Sequence, residues 1–314
     1  MSTTPSTTED SYTVVGTVAN SGDPERGIGA LVLSRAARQT RAEELAALES
    51  AGFSEVLVVL DSLPHYDVEQ LAGRLRRTRF LLFGAPMNVG AHINTAMREA
   101  AASLVFVMTS DCDVPPLSDR IVQRIRELDA ICVVPSLRNE RGDPVPSLIA
   151  PARHGGRFVT LPMAPHSSVS VSLYPYSHIG VFHRERFLKS TGYDTSMRNP
   201  YWQSIDFGFR SYLWGESIPC LPSLRIRVAR PIPPDDTTLD ADYARFHLKN
   251  LSVRFSRDSA RLSSGQLLRF VSRSGLGLVR GIREFNRIRS WVCANRYRFV
   301  QDARRVTELW EVDG

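Results

Sequence analysis

The sequence has little of what marks membrane-spanning or disulfide-stabilised proteins. No window approaches the roughly 18 consecutive apolar residues that suggest a bilayer-spanning helix, and the polar start lacks the basic and apolar regions of a secretory signal. The four cysteines lie far apart and form no C-x-x-C pair, so neither a disulfide framework nor a zinc knuckle is indicated. We therefore expect a cytoplasmic protein whose residues 1–12 form a disordered tail.

Two nucleotide-binding signatures are also missing. No G-x-G-x-x-G motif follows a predicted strand, and the glycines at 275, 277 and 281 have the wrong spacing for one. A dinucleotide oxidoreductase is therefore not indicated. The segment 15–21 is a poor match to the basic, Gly-rich phosphate loop that a sugar-phosphate nucleotidylyltransferase places after its first strand.

The composition is that of an ordinary globular protein, with an uneven charge. The 314 residues are 43% hydrophobic and 23% charged, enough for one large α/β domain with a helical appendage or for two domains. The net charge is +6, yet the segment from Arg269 to Arg305 alone holds ten arginines against Glu284 and Asp302. A mildly acidic body therefore carries a basic tail, which points to an anionic surface or partner for the tail.

The first half alternates β-branched runs with helical patterns, which predicts an α/β fold with a mainly parallel central sheet. Such sheets bind ligands at the carboxyl ends of their strands. The predicted strands are Tyr12 to Ala19, Glu55 to Asp61, Arg79 to Phe83 and Leu104 to Thr109, and the predicted helices are 40–51, 68–77 and 91–102.

The second half is less regular. Residues 135–175 are rich in Pro, Gly, Ser and His and predict an irregular segment that forms binding loops, much of it on the acceptor side. Regular patterns resume at 178–182, 204–213 and 218–228, and 240–255 is predicted to be helical.

The C-terminal segment predicts an amphipathic helix. Its apolar stripe is spaced 4, 3, 3 and 4 residues apart, with arginines opposite. We expect this helix either to dock on the body or to lie peripherally on an anionic membrane at its inner face. Interspersed aromatics would suit nucleic-acid binding, but arginines on a solvated face explain the pattern more simply, so no nucleic-acid partner is expected. The stripe consists of Leu278, Ile282, Phe285, Ile288 and Val292.

The most informative pattern is an apolar strand, 104–109, that runs into Asp111 and Asp113. Two carboxylates with this spacing can face one cation, and Mg²⁺ or Mn²⁺ held in this way completes its shell with water and substrate phosphates. Such an ion neutralises charge that develops on a diphosphate leaving group. The alternative is that one aspartate makes a turn or caps the helix near Pro115.

Further motifs follow the same order as in a known family. The succession resembles family 2 glycosyltransferases, with landmarks matched from about Val14 to Asn250, and this order is more specific than any single motif. The landmarks are Asp61-Ser62 at a strand end, Asn88-x-Gly90-x-x-x-Asn94 opening a helix, Asp111-x-Asp113, the basic and aromatic segment 182–194, and 201–210 followed by Gly215.

The resemblance implies one GT-A glycosyltransferase domain over 13–258, followed by a basic amphipathic helical extension over 259–314. It implies that Asp61 contacts the base or ribose of a nucleotide-diphospho-sugar, and that Asp111 and Asp113 hold the metal diphosphate. His247 is the candidate for a further metal ligand. Turn, helix-entry and structural roles remain open for these residues. The remaining nucleotide-sugar-binding candidates are Asn88, Gly90, Asn94 and Trp202.

One departure from the family concerns the general base. Inverting members typically have Glu-Asp where this chain has Gln203-Ser204, and neither side chain is a carboxylate base for an acceptor hydroxyl. Three explanations stay open: Asp206 or Asp194 takes the catalytic role, the reaction retains configuration, or catalysis has been lost.

These observations predict a metal-assisted glycosyltransferase that moves a sugar from a nucleotide-diphospho-sugar to an unidentified acceptor, such as a cell-envelope or polysaccharide glycan or a lipid-linked one. The alternative is a catalytically inactive protein of the same fold that binds a sugar nucleotide or a glycan.

Overall fold

A computed structural model describes residues 12–16, 27–33, 42–60, 68–155, 157–165, 170–308 and 310. The strands are β1 (Tyr12–Val15), β2 (Ile28–Leu33), β3 (Glu55–Leu60), β4 (Thr78–Phe83), β5 (Leu104–Thr109), β6 (Cys112–Asp113), β7 (Cys132–Arg138), β8 (Leu148–His154), β9 (Arg157–Met163), β10 (Gly180–His183), β11 (Cys220–Val228), β12 (Arg254–Ser256) and β13 (Ser259–Arg261). The α-helices are α1 (Ala42–Ser50), α2 (Val68–Arg74), α3 (Val89–Glu99), α4 (Asp119–Glu127), α5 (Arg184–Lys189), α6 (Pro200–Leu213), α7 (Ala241–Phe246), α8 (Leu267–Ser274), α9 (Leu278–Ala294) and α10 (Ala303–Glu308). Short 3-10 turns cover Tyr176–His178 and Ser264–Gln266, and a π-helical turn covers His247–Leu251.

One large sheet organises the molecule, and it confirms the predicted α/β class. Its strand order is β1-β4-β3-β2-β5-β10-β7-β11-β6. The strands β2 to β5 are mutually parallel, β7 and β11 run in the same direction, and β1, β10 and β6 pair antiparallel to their neighbours. Every residue of β2, β3 and β5 is buried, as expected for strands covered on both faces. Alternate side chains of these strands enter two separate hydrophobic clusters, one on each face.

The central strand β2 was not predicted from the sequence. The predicted strand from Tyr12 begins where β1 begins, but β1 is a short edge strand antiparallel to β4, and residues 17–19 lie outside the described part of the chain. The sequence IGALVL of β2 contains Gly29, which weakens a strand prediction. Packing explains this glycine, because a Cβ there would lie 3.0 Å from Cγ of Glu55 and 3.2 Å from Cβ of Ala102.

The segment 135–175 is not irregular, contrary to our prediction. It contains the end of β7 and a complete antiparallel hairpin, in which Leu148 pairs with Met163 and His154 with Arg157. Its prolines suggested breaks, yet Pro135 lies in β7 beyond the two residues that pair with β10. A proline is tolerated where one side of a strand needs no N–H donor, and both strands of an isolated hairpin have such a side.

Helix boundaries differ from the predictions in two places. The predicted helix over 240–255 ends early, because α7 passes into the π-helical turn and residues 254–256 form β12. The helix predicted over 40–51 is present as α1, while its predicted cap at Thr40 lies outside the described residues.

The C-terminal helices share a hydrophobic cluster with the body. Phe285, Ile288 and Val292 of α9 are buried in the same cluster as Ile205 of α6 and Phe246 of α7. The other end of the stripe is open, since Leu278 is 66% exposed. The middle and C-terminal part of the stripe thus docks on the body, which leaves chiefly the arginine side for contact with other surfaces. Within the described residues, no helix combines the length and apolarity that crossing a bilayer requires.

Candidate functional site

A cleft opens at the carboxyl ends of β2 and β5, where the first aspartate of the Asp-x-Asp pair lies. Strand β5 is fully buried, and Asp111 follows it by two residues and is only 4% exposed. The cleft has a volume of about 230 Å³. Besides the two aspartates, its lining includes Val32, Glu44, Leu48, Met108 and Ala229. The edge of the sheet predicted to bind ligand therefore carries this pair.

The second aspartate pairs with an arginine from a neighbouring strand. Asp113 of β6 is directly opposite Arg227 of β11. Its Oδ2 accepts two hydrogen bonds from Arg227, one from Nε at 3.1 Å and one from Nη2. Both side chains are more than half exposed. A cation that binds Asp113 must therefore compete with Arg227, in a contact that solvent weakens.

The donor set at this cleft suits a hard divalent cation only with help from a substrate. Within the described residues, no cluster of three His, Cys, Asp or Glu side chains could hold a metal ion on its own. Mg²⁺ is commonly bound by one or two carboxylates together with water and substrate phosphates. Asp111 and Asp113 fit this arrangement, in which water and substrate phosphates complete the metal's coordination.

The Asn-x-Gly-x-x-x-Asn segment holds the start of α3 against the loop before α6. Asn88 caps α3, since its Oδ1 accepts a hydrogen bond from the amide N of Ala91 at 2.9 Å, and its Nδ2 donates to the carbonyl of Thr195 at 2.8 Å. Asn94 donates to the carbonyl of Tyr193 and accepts from its N–H, both at 2.9 Å. At Gly90 a Cβ would lie 2.7 Å from Cβ of Tyr193. These contacts join the start of α3 to the segment before α6.

Gln203, which stands where family 2 enzymes have a carboxylate, joins the same contact. Its Nε2 donates to Oδ1 of Asn88 at 2.8 Å and to the carbonyl of Met197 at 2.7 Å. Its Oε1 accepts from the amide N of Gly90 at 3.2 Å. The side chain is fully buried. An amide is needed here because a carboxylate could only accept.

Ser204 contacts a buried histidine that the sequence analysis did not single out. Its Oγ lies 3.4 Å from Nδ1 of His178. Burial lowers the pKa of His178 to about 4, so the imidazole is neutral at pH 7. The ring of Tyr193 packs edge-on against it, with centroids 5.0 Å apart. His178 follows a turn with positive φ at Ser177, a signal that is not visible in the sequence.

Of the two candidate base residues, Asp206 is fully buried and Asp194 is partly buried. Asp206 has no exposed surface, and it accepts hydrogen bonds from Nζ of Lys249 at 2.9 Å and from Nδ2 of Asn250 at 2.8 Å. Asp194 accepts from the same Nζ and from Nε of Arg245, each at 2.9 Å. Burial acts to raise the pKa of Asp194, but Lys249 and Arg245 outweigh it and hold that pKa well below its usual range. Neither carboxylate lines the Asp111 cleft.

The remaining candidates are distributed over other parts of the molecule. Trp202 is 2% exposed, donates from Nε1 to the carbonyl of Thr238 at 2.9 Å and stacks on Phe246, so it offers no face to a nucleotide. His247 contacts Oγ of Ser252 and lines a different cavity from that of Asp111. The structure does not bring it to the metal candidates. Asp61 lies outside the described residues.

Comparison with known proteins decides the architecture. The sequence matches no protein-family model and no curated protein. Solved structures do match, among them GalNAc-T7 with UDP, GalNAc and Mn²⁺, at a TM-score of 0.52 and 13% identity over 72% of this chain. Another is S. aureus TarS 1-349 with UDP-GlcNAc, at a TM-score of 0.51 and 11% identity over 83% of this chain. Both are glycosyltransferases of the GT-A type.

This chain has the GT-A fold. It spans 48% of GalNAc-T7 and 71% of the TarS fragment, so about half the length of the first structure has no counterpart here. In the GT-A sheet of this protein, the Asp-x-Asp pair follows the strand beside β2. Three side chains that contact the cleft or the candidate residues were not identified from the sequence: Glu44, which lines the cleft, Arg227, which pairs with Asp113, and Lys249, which pairs with Asp206.

Proposed function

We propose that this protein is a metal-assisted glycosyltransferase that uses a nucleotide-diphospho-sugar donor. The observation that carries the proposal is the position of Asp111 and Asp113 beside an open cleft at the carboxyl edge of a GT-A sheet. The structures that share this fold were crystallised with UDP and Mn²⁺ or with UDP-GlcNAc. A uridine diphosphate sugar is therefore the first donor to test.

Acidic and basic side chains would have different tasks in binding a diphosphate: the acidic ones would hold the metal ion, and the basic one would contact phosphate oxygens. Asp111 and Asp113 would hold Mg²⁺ or Mn²⁺, which supplies a positive charge for the leaving diphosphate. Arg227 pairs with Asp113, and its guanidinium group can bind phosphate oxygens with two parallel hydrogen bonds. We expect Arg227 to leave Asp113 for the diphosphate when donor and metal are bound.

We propose that neither Asp206 nor Asp194 is the base for the acceptor hydroxyl. Asp206 and Asp194 are tied to buried cations, and Gln203 and Ser204 occupy the family position. We propose a structural role for both aspartates. The acceptor hydroxyl is then deprotonated by another group, or the reaction proceeds with retention. The acceptor remains a glycan, free or lipid-linked.

The same observations favour a second candidate function. A protein that kept the donor cleft and lost the base would bind a sugar nucleotide without transferring the sugar. The amide of Gln203, bonded on both its oxygen and its nitrogen, is what favours this alternative. Release of UDP from a bound UDP-sugar, with water or with a supplied glycan, would exclude it.

The deciding experiment is a calorimetric titration with UDP-, GDP- and dTDP-sugars, with and without Mn²⁺. It compares the wild type with Asp113→Asn and with the control Asp258→Asn, which removes a charge from an exposed turn whose positive φ suits asparagine. Metal-dependent binding lost only in Asp113→Asn supports the donor site. If the wild type binds no nucleotide sugar, or if Asp113→Asn binds as well as the wild type, the proposal fails.

A further inference from the structure

A second cavity, of about 450 Å³, lies away from the donor cleft and shares no lining residue with it. Four segments form it: the β8–β9 hairpin, the region from Leu239 through α7 into the π-helical turn, α8 and α10. The polar part of its lining is mainly cationic. It includes Arg153, Arg157, Arg269 and Arg273, with Tyr243 and His247.

The positive charge in this cavity has no counter-charge from the described protein. No Asp or Glu is among its lining residues. None of the four arginines forms an ion pair with a carboxylate in the described part of the chain, whereas Arg245, which precedes His247 by two residues, pairs with both Asp194 and Glu284. Among the described residues, therefore, Arg245 is paired with carboxylates, whereas these four arginines surround one space without an ion pair.

The arginines converge because of the fold. Arg269 and Arg273 are four residues apart on α8, which places them on the same face of the helix. Arg153 and Arg157 stand on opposite sides of the β8–β9 turn. Like charges at such spacing repel each other and destabilise the folded protein. An anion that entered the cavity would remove that cost.

We propose that this cavity binds a ligand through a multiply charged phosphate group. Guanidinium groups bind phosphate with paired, charge-assisted hydrogen bonds, and several of them together suit a phosphate monoester or a bisphosphate. Tyr243 and His247 add side chains that can hydrogen-bond the rest of the ligand. A volume of about 450 Å³ falls in the range of small-molecule pockets.

The first test uses glucose 1,6-bisphosphate as the probe, titrated calorimetrically in buffer with EDTA so that no metal reaches the donor cleft. The wild type is compared with Arg269→Gln/Arg273→Gln and with the control Arg280→Gln/Arg283→Gln, which removes two exposed arginines of α9 outside the cavity. We expect at least a tenfold loss of affinity in the cavity variant and less than a twofold change in the control.

Two outcomes overturn the proposal: no binding by the wild type, and an equal loss in both variants, which would assign the binding to the general charge of the basic tail. Thermal melting checks the folding of both variants. Removal of repelling charges should leave the melting temperature of the cavity variant unchanged or raised, so a failure to fold is not the expected cause of lost binding.

A second arm identifies the source of the phosphate. Co-sedimentation is measured with phosphatidylcholine vesicles that contain or lack phosphatidic acid. Binding to phosphatidic acid that only the cavity variant loses assigns a lipid headgroup, and bisphosphate binding without vesicle binding assigns a soluble phosphate ester. The inference is independent of the proposed glycosyltransferase activity, since the cavity variant should keep metal-dependent binding of nucleotide sugars.

Discussion

Two pairs of aspartates, which looked equivalent as candidate site residues, occupy opposite environments. Asp111 and Asp113 stand at the end of a strand beside an open cleft, and Arg227 pairs with the more exposed of them. Asp194 and Asp206 lie in the interior, where Lys249 bridges them. The difference shows that the role of an aspartate at a motif position depends on the residues that pack around it.

The interior pair belongs to a balanced cluster of charges. Lys249 also lies over the ring of Trp291, with Nζ 4.5 Å from the centroid, and Arg210 donates to the carbonyls of Ser190 and Gly192. The cluster joins α6, α7 with its π-helical turn, and α9, so it links the sheet domain to the C-terminal extension. Its three carboxylates and three cations are Asp194, Asp206, Glu284, Arg210, Arg245 and Lys249.

The largest effect is expected when the interior pair is broken. Asp206→Asn should lower the free energy of unfolding by about 3–5 kcal/mol, because it leaves Lys249 and Arg210 buried with one carboxylate fewer. Asp113→Asn, the same change in the exposed Asp113–Arg227 ion pair, should cost less than about 1 kcal/mol. Urea unfolding measures both.

One result would contradict the structural role of Asp206. An Asp206→Asn protein with wild-type stability that had lost only sugar transfer would assign Asp206 to the chemistry and not to the structure.

The next effect concerns the amide that replaces the family carboxylate. Gln203→Glu should destabilise the protein by about 3 kcal/mol at pH 7, because the buried carboxylate faces the acceptors Oδ1 of Asn88 and the carbonyl of Met197. The loss should shrink as the pH falls, since a protonated carboxyl can donate one hydrogen bond.

Urea unfolding of this variant at pH 7 and pH 5 tests the pH dependence. The control is Gln266→Glu, at the half-buried start of α8, which should show little change at either pH. A Gln203→Glu variant that was fully stable and more active in transfer would show that the position is still open to the acceptor.

A third effect comes from His178, next to Ser204. Burial lowers its pKa to about 4, whereas the unfolded chain keeps it near 6.5. Between these values only the unfolded state binds the proton, so the free energy of unfolding falls as the pH decreases. The His178 contribution at pH 5 relative to pH 7 should be a loss of about 2 kcal/mol.

The measurement is urea unfolding of the wild type and of two variants across this pH range. His178→Gln should remove this part of the pH dependence, while His154→Gln, an exposed histidine on β8, should keep it. An unchanged slope in His178→Gln would mean that the pKa of His178 is not lowered in the folded protein.

Features that depend on residues close together in the sequence could be predicted, whereas features that depend on contacts between distant residues could not. Strand β5 and most of α3 were predicted because an apolar run and a helical pattern are local signals. The role of Gln203 depends on Gly90, which is 113 residues away, and that of Asp206 on Lys249, 43 residues away. Strand β2 was missed because its Gly29 is required by Glu55 and Ala102 across the sheet, not by its own neighbours.

The smallest effect concerns the exposed ion pair between Asp113 and Arg227. Arg227 and a divalent cation compete for the carboxylate of Asp113, so Arg227→Gln should strengthen the binding of Mn²⁺ alone by a few-fold, or less than about 1 kcal/mol. The same variant should bind UDP-sugar with Mn²⁺ more weakly than the wild type, because it lacks the cation expected to contact the diphosphate. Calorimetry gives both affinities, with Arg225→Gln, an exposed arginine two residues earlier on β11, as the control.

Opposite changes in the affinities for metal and donor are the expected result if Arg227 moves from the aspartate to the phosphate. Parallel changes would mean that Arg227 only balances the charge of Asp113, and the cleft would then depend on the metal alone to neutralise the diphosphate.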